Sequence, residues 1–403
     1  MAKYNVGGLL LDQPFKIRRL GHFGFNLVNI DEGVRFYTDL LGFRISDIID
    51  FSQRATSPEQ IAGLGDLRGY FTRYGTDHHA LVLFNKRVRD ALGRHDKPGV
   101  TINQITWQVG SLREVGNAIR WFGEKGVEIQ RSGRDMPGSN WHTYVYDPDG
   151  HTNELYYGIE QIGWNGYSKP RAMYDRGFHE APGLPQMSEF EEVEQALGKG
   201  LDLMSGYRYR ERLPATYDVD GILLPRPFKI VRIGPVNLFV KDVNGAEAFY
   251  RDILGFTRTE EVHWRGHRCA FLRANTEHHS LGLFPLALRE ALGMSEQTSC
   301  MALGLQLANY QQLRDAVRFL RDQGIRFNNA VPSDLYPGID YAAHVFDPDG
   351  HCLQLYYYME QVGWDGKPRP RELRRRIERE EWPETLEAMS DGYQGEPYLG
   401  PWG

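Results

Sequence analysis

A histidine at position 22 and a glutamate at position 154 lie in segments that this chain contains twice, and in the second occurrence both are replaced. Leu20-Gly21-His22 returns as Ile233-Gly234-Pro235, and Glu154 returns as Gln354. Imidazole and carboxylate are good ligands for a divalent cation, whereas proline has no donor and a neutral amide is a poor one. The second copy therefore acts as an internal control, and what it lacks points to metal binding in the first. On its own, His22 on an apolar strand reads equally well as a core histidine satisfied by a carbonyl. Glu154 changes the balance. It sits in Asn153-Glu154-Leu155-Tyr156-Tyr157, a stretch expected to be buried, and a buried carboxylate needs a cation or a hydrogen-bond donor.

Other repeated elements carry less chemistry. Pro14-Phe15-Lys16-Ile17 matches Pro227-Phe228-Lys229-Ile230. Phe36-Tyr37 through Leu41-Gly42-Phe43 matches Phe249-Tyr250 through Leu254-Gly255-Phe256. Asp147-Pro148-Asp149-Gly150-His151 matches 347–351, and Gly163-Trp164 matches Gly363-Trp364, a tryptophan pair that suggests a domain-packing anchor. His78-His79 also returns, as His278-His279, without the other ligands. Retention there favours a structural job such as a strand-end hydrogen bond, in competition with function. His151 and His142 read as polar surface residues beside a turn.

These residues need elements to position them. Strand patterns at 20–28 and 102–109 each lead to a helical apolar stripe, at 34–41 and 112–122, stopped by Gly42 and Gly126. Asn29 and Asp31 are candidate N-caps for the first helix, and Ser111-Leu112-Arg113-Glu114 has the form of a capping box for the second. Strands at 143–146 and 152–157 are joined by Asp147-Pro148-Asp149-Gly150, which suits a type I turn. The same order holds in the second half, with helices at 245–254 and 311–323. The fold class is therefore α+β, with four βαβββ modules paired into two similar domains. The first spans residues 1–165 and the second 218–365, with a linker at 166–217 containing a short helix at 188–197 and a tail at 366–403. About a dozen extra residues near 52–66 in the first copy would form a lid or wall.

The chain has 403 residues, enough for two domains that each bury a core. Hydrophobic content of 41% and charged content of 25% are those of a soluble globular protein. A net charge of −6 argues against nucleic-acid binding, and the basic run at 371–379 is mixed with glutamates, as in a solvated helix. Cys269, Cys300 and Cys352 form no paired motif, so neither disulfides nor a cysteine zinc site are indicated. There is no long apolar run and no signal-peptide core, so no membrane association and a cytoplasmic location are expected.

The arrangement resembles the vicinal oxygen chelate superfamily, which includes glyoxalases and bleomycin resistance proteins, and within it the type I extradiol ring-cleaving dioxygenases. The resemblance rests on Leu20-Gly21-His22, Phe36-Tyr37 through Ser46-Asp47, His78-His79-Ala80-Leu81, Val115-Gly116-Asn117-Ala118, and Tyr144, Pro148, Gly150 and Glu154. It implies that paired modules curl into an open cup around one metal, each in a curved mixed-sheet barrel. The metal positions would be His22, Gln104 and Glu154, and the metal Fe(II) or, alternatively, Mn(II) or another divalent ion. The family's iron enzymes carry histidine where this chain has Gln104. Two resolutions are open: Gln104 binds the metal, or His79 joins His22 and Glu154 as the third ligand.

The same resemblance implies that His79 acts as acid and base, with Tyr144 beside the substrate and His142 on the same strand face. Asp135 falls near a family histidine position. Tyr144 also reads as a core aromatic, and Gln104 as a cross-sheet hydrogen-bonding residue. The implied reaction is O2-dependent cleavage of a catechol-like aromatic by a homo-oligomeric enzyme. Two other functions fit the residues: a non-redox isomerase, epimerase or lyase, which Gln104 favours, and a non-catalytic small-molecule-binding protein. In each case the second domain is structural.

Overall fold

A computed structural model of the chain describes residues 3–134, 137–138, 140–173, 180, 183–362, 365–374, 377 and 382–386. A hairpin of β1 (Tyr4–Val6) and β2 (Leu9–Leu11) precedes the first module. That module comprises β3 (Ile17–Leu27), α1 (Ile30–Arg35), β4 (Arg44–Asp50), β5 (Arg68–Arg73) and β6 (Leu81–Asn85), followed by the short α2 (Lys86–Ala91). The second module comprises β7 (Ile102–Val109), α3 (Leu112–Glu124), β8 (Ile129–Arg134), β9 (Trp141–Tyr146) and β10 (Thr152–Tyr157). The eight strands form one sheet in the order β4-β5-β6-β3-β7-β10-β9-β8. Its first strands, β3 and β7, meet antiparallel at the centre, and each runs parallel to the last strand of its own module.

The linker contains α4 (Glu189–Gly198). The second half repeats the design: a hairpin of β11 (Tyr217–Val219) and β12 (Ile222–Leu224), then β13 (Ile230–Val240), α5 (Val243–Ala248), β14 (Thr257–Trp264), β15 (His267–Arg273) and β16 (Leu281–Pro285). The last module is β17 (Cys300–Leu307), α6 (Tyr310–Asp322), β18 (Phe327–Asn328), β19 (Ala342–Phe346) and β20 (Cys352–Tyr356), in a sheet of matching order. The fold is the α+β arrangement of four βαβββ modules expected from the repeat. No helix among the described residues is long and apolar enough to cross a membrane.

Local details differ from the sequence reading in instructive ways. The helix after β3 widens into a π turn over Phe36–Leu40, which buries Phe36, Tyr37 and Thr38 together before Gly42 reverses the chain at φ +85°. Asn29 occupies the N-cap of α1, yet its side chain binds Asp349 rather than the helix. Ser111 caps α3 by accepting from the Glu114 amide at 3.3 Å. The Glu114 carboxylate does not close the box on the Ser111 amide. It accepts from the Lys16 backbone N–H at 2.8 Å and ties α3 to the start of β3. Trp164 is fully exposed and anchors nothing, and Trp364 lies outside the described residues. Arg371 begins a single 3-10 turn, and it and Arg374 both bind Glu260 instead of facing solvent on a helix.

One apolar core runs through both halves, drawing on Phe15, Trp107 and Phe122 from the first and Phe228, Tyr250 and Phe256 from the second. Trp107 packs edge-on against Phe256 at 4.9 Å, and Trp121 donates to the Ile253 carbonyl at 3.0 Å. The opposite face of each sheet is the inside of a cup, and the two cups differ. The second is filled by its own apolar cluster, including Phe239, Phe271, Phe284, Met301 and Phe346. In the first, a smaller cluster of Ile49, Phe51, Phe71, Val82 and Val88 forms one wall and leaves the rest of the cup hollow.

Candidate metal centre and substrate cavity

Four adjacent strands bring the candidate residues together. In register, His22 on β3 faces Thr106 on β7, Thr106 faces Glu154 on β10, and Glu154 faces Tyr144 on β9. Alternation along a strand places Gln104 on the face of Thr106 and His142 on the face of Tyr144. The pairing of β3 with β7 shifts between Leu20 and His22. Gly21 occupies that irregularity because a Cβ there would collide with the Tyr156 ring.

Glu154 is the hub. It is 0% exposed, and His22, 1% exposed, places Nε2 at 3.1 Å from its Oε2. Gln104 Nε2 and Thr106 Oγ1 each donate to Oε2 at 2.9 Å, and Asn140 Nδ2 donates to Oε1 at 2.7 Å. His142 Nδ1 lies 3.9 Å from Oε1. Burial alone would raise the Glu154 carboxyl. The charge and hydrogen bond of His22, with His142 and Tyr144, more than offset this and hold it at about 2. The group is thus a carboxylate at any physiological pH.

His79 packs against His22, with ring centroids 4.3 Å apart, and lines the cavity. Its partner in sequence, His78, turns the other way and lies 3.8 Å from Asp47. Burial, reinforced by His22 and His78, drives the His79 imidazole well below its usual range, so it is neutral. The two rings share a contact between their Nδ1 atoms at 3.0 Å, and His278 with His279 repeats it at 3.1 Å. This local contact is common to both cups, whereas the neighbour His22 belongs to the first alone. His142 and His151 are buried, not surface residues: His142 packs on Tyr144, and His151 pairs with Asp147 at 2.9 Å. Asp135 lies outside the described residues.

The cavity has a volume of about 550 Å³. His22, His79, Gln104, Asn140 and Tyr144 all reach it, and Phe51, Phe71, Val82 and Ile102 are among its apolar walls. The insertion at 52–66 is a wall: it packs its Gln60 side chain on the Ala91 carbonyl at 2.8 Å and contributes Arg54 to the lining.

The donor set fits a divalent cation on two observations. A fully buried carboxylate and imidazole converge at hydrogen-bond distance, and His22 Nδ1 is buried with no partner. Among the described residues no three His, Cys, Asp or Glu side chains group to hold a metal. A third donor must therefore be of another type, and Gln104 supplies an amide in contact with Glu154.

The second cup shows the same scaffold with this machinery removed. Its register positions are Pro235, Ala302, Gly304, Ala342, His344 and Gln354. Gln354 and His344 pair with one another at 3.1 Å, and a Cβ on Gly304 would strike the Gly234 carbonyl and the Pro235 ring. Thr106 and Asn140 are the functional neighbours that sequence reasoning missed. For Thr106 a signal existed, since it becomes Gly304 in the same repeat frame. Asn140 arrives from a loop before β9, and nothing in its spacing marks it.

A family model described as the Glyoxalase/Bleomycin resistance protein/Dioxygenase superfamily matches residues 19–155 and again 232–355. Metapyrocatechase 2 from Cupriavidus necator is 31% identical over 148 residues, 36% of this chain and 38% of that protein's own length. The 2,3-dioxygenase LapB from Pseudomonas sp. KL28 superposes with a TM-score of 0.56 at 13% identity, covering 88% of this chain and 96% of that one. The Mn(II)-bound glyoxalase from Novosphingobium aromaticivorans superposes with a TM-score of 0.52 at 14% identity, covering 87% and 85%. At such identities the structural likeness speaks for the fold, while the family match covers most of both halves. The chain belongs to the Glyoxalase/Bleomycin resistance protein/Dioxygenase superfamily.

Proposed function

We propose that the first cup is the active site of a divalent-metal-dependent extradiol-type dioxygenase acting on an ortho-hydroxylated aromatic. The observation that carries this reading is the His22–Glu154 contact of 3.1 Å at the floor of a hollow cup, with both groups lost from a filled second cup. His22, Gln104 and Glu154 would hold the metal. Iron in such a set supplies Lewis-acid and redox chemistry toward a chelated catechol and O2. Metapyrocatechase 2 and the superposed 2,3-dioxygenase carry dioxygenase names, which supports the same class.

The chain's own residues then have distinct tasks. Neutral His79 is poised to take a phenolic proton as the substrate binds and to return it later. Tyr144, in register with Glu154, offers a phenol toward the cavity. Phe51, Phe71 and Ile102 flank the ring and keep water from it. Asn140 and Thr106 hold the Glu154 carboxylate in one orientation.

A non-redox reaction of the glyoxalase type is the second reading, and Gln104 in place of a third strong ligand favours it. Oxygen uptake and metal content, measured on the wild type, His22→Ala and Glu154→Ala after anaerobic loading with Fe(II), decide the matter. The expected result is O2 consumption with a catechol panel and loss of both metal and activity in either variant. Turnover without O2 transfers the assignment to the second reading. Unchanged metal content in both variants removes the site.

A further inference from the structure

The walls of the first cup carry a charge that ring cleavage does not require. Among the described residues, six arginines and one lysine line the cavity against a single aspartate, Asp96. The chain as a whole is acidic, at −6, so this is a local enrichment. Its exposed members come from three separate segments: Arg54 from the insertion after β4, Arg94 and Lys97 from the loop after α2, and Arg171 from the linker. Asp96 is already engaged, by Asn26 at 2.7 Å and Arg89 at 3.3 Å. Neither Arg94 nor Arg171 has an ion pair or side-chain hydrogen bond among the described residues.

The second cup again serves as the control. Arg94 corresponds there to Met294, which is buried in the apolar filling, Lys97 corresponds to Gln297, and Arg54 has no counterpart. Cations therefore gather only where the cup is hollow. The lining is graded from a buried polar floor at His22 and Gln104, through an apolar belt at Phe51, Phe71 and Ile102, to exposed guanidinium groups. A ligand complementary to that gradient has vicinal oxygens at one end of an aromatic ring and an anion at the other.

We propose that the substrate is an ortho-dihydroxylated aromatic bearing a carboxylate, and that Arg94 and Arg171 receive this carboxylate at the mouth of the cup. Planar guanidinium groups bind carboxylates bidentately, which orients the ring as well as attracting it. The inference rests on the ring-cleavage reading for the chemistry at the floor, while recognition of the anion is separable from it.

The test is anaerobic titration calorimetry of the metal-loaded full chain with 3,4-dihydroxyphenylacetate and its neutral near-isostere 4-ethylcatechol. The carboxylate is expected to bind roughly tenfold tighter at low salt, with the advantage shrinking as ionic strength rises. In the double variant Arg94→Glu with Arg171→Glu, the ratio of the two affinities should fall to one or below, and Arg94→Lys should retain a salt-sensitive preference. Equal affinities in the wild type, weaker or absent binding of the carboxylate, or a preference that survives the double variant overturns the inference. Because binding is read without O2, the two ideas fail separately. A carboxylate preference with no oxygen uptake from either compound sinks only the ring-cleavage reading, and oxygen uptake with equal affinities sinks only the anion site.

Discussion

Tyr250 of the second half donates its hydroxyl to Asp147 of the first at 2.9 Å, and Tyr37 of the first donates to Asp347 of the second at 3.0 Å. Each half thus inserts a tyrosine into the Asp-Pro-Asp-Gly turn of the other, and both aspartates are buried. This explains why the repeated Phe-Tyr and Asp-Pro-Asp-Gly segments survive in a copy without chemistry: they are the two sides of one joint. Tyr250→Phe and Tyr37→Phe should each cost about 1–3 kcal/mol, because a buried carboxylate loses a donor. Urea denaturation measures this, and metal content should not change.

The first joint also contains a pH-dependent pair absent from the second. His151 contacts Asp147 at 2.9 Å. Burial opposes the charged imidazole, but the charge and hydrogen bond of Asp147 prevail and raise His151 above its ordinary range. A raised histidine stabilises the fold fully below about pH 6.5, its unfolded value, and that contribution is lost as pH rises through the folded value. His151→Gln should therefore flatten the decline of the urea midpoint between pH 6 and pH 9. An equally steep decline in the variant would refute the assignment.

Gln104 is expected to be the weak member of the metal set. Gln104→Ala should lower metal affinity by roughly 10–100-fold, as loss of a supporting group does, while Gln104→His should restore or exceed it. Competition with a chromogenic chelator gives the ratio. If alanine leaves affinity unchanged, His79 becomes the third ligand instead.

His79 should act on the reaction and not on metal loading. His79→Asn is expected to reduce kcat by roughly 10²–10⁴-fold, the range for a lost general base, with bound metal retained. Burial keeps this imidazole well below its usual range, so the acid limb of kcat/KM in the wild type should lie below pH 6.5. An acid limb above pH 7 would assign the base to another group.

Filling of the second cup makes that half a support. Phe239 is 1% exposed and occupies the position that Asn26 holds in the first cup. Phe239→Ala should cost roughly 3–5 kcal/mol by opening a cavity, measurable as a lower urea midpoint. Turnover per bound metal in the first cup should be unaffected at temperatures where the variant remains folded.

Much of this was legible in the amino-acid order because it depends on local or repeated pattern. The βαβββ order follows from strand and helix periodicity. The Ser111 cap, the reversal at Gly42 and the turn at Asp147 follow from residue types that suit those backbone shapes. His22 and Glu154 were visible because the chain carries a second copy in which both are missing. Folding was needed to decide what lies close in space but far in sequence. Thr106 and Asn140 became partners of Glu154 only when β7 and the loop before β9 closed around it. Two of the expected roles also depended on burial: Trp164 is left in solvent, whereas His142 and His151 are enclosed. The Glu114 carboxylate was drawn from its own helix cap to Lys16, and the cationic mouth was assembled from an insertion, a loop and a linker. Pattern in a chain specifies elements because their hydrogen bonds are short-range. A site's charge and depth are sums over distant segments, so only the packed sheet settles them.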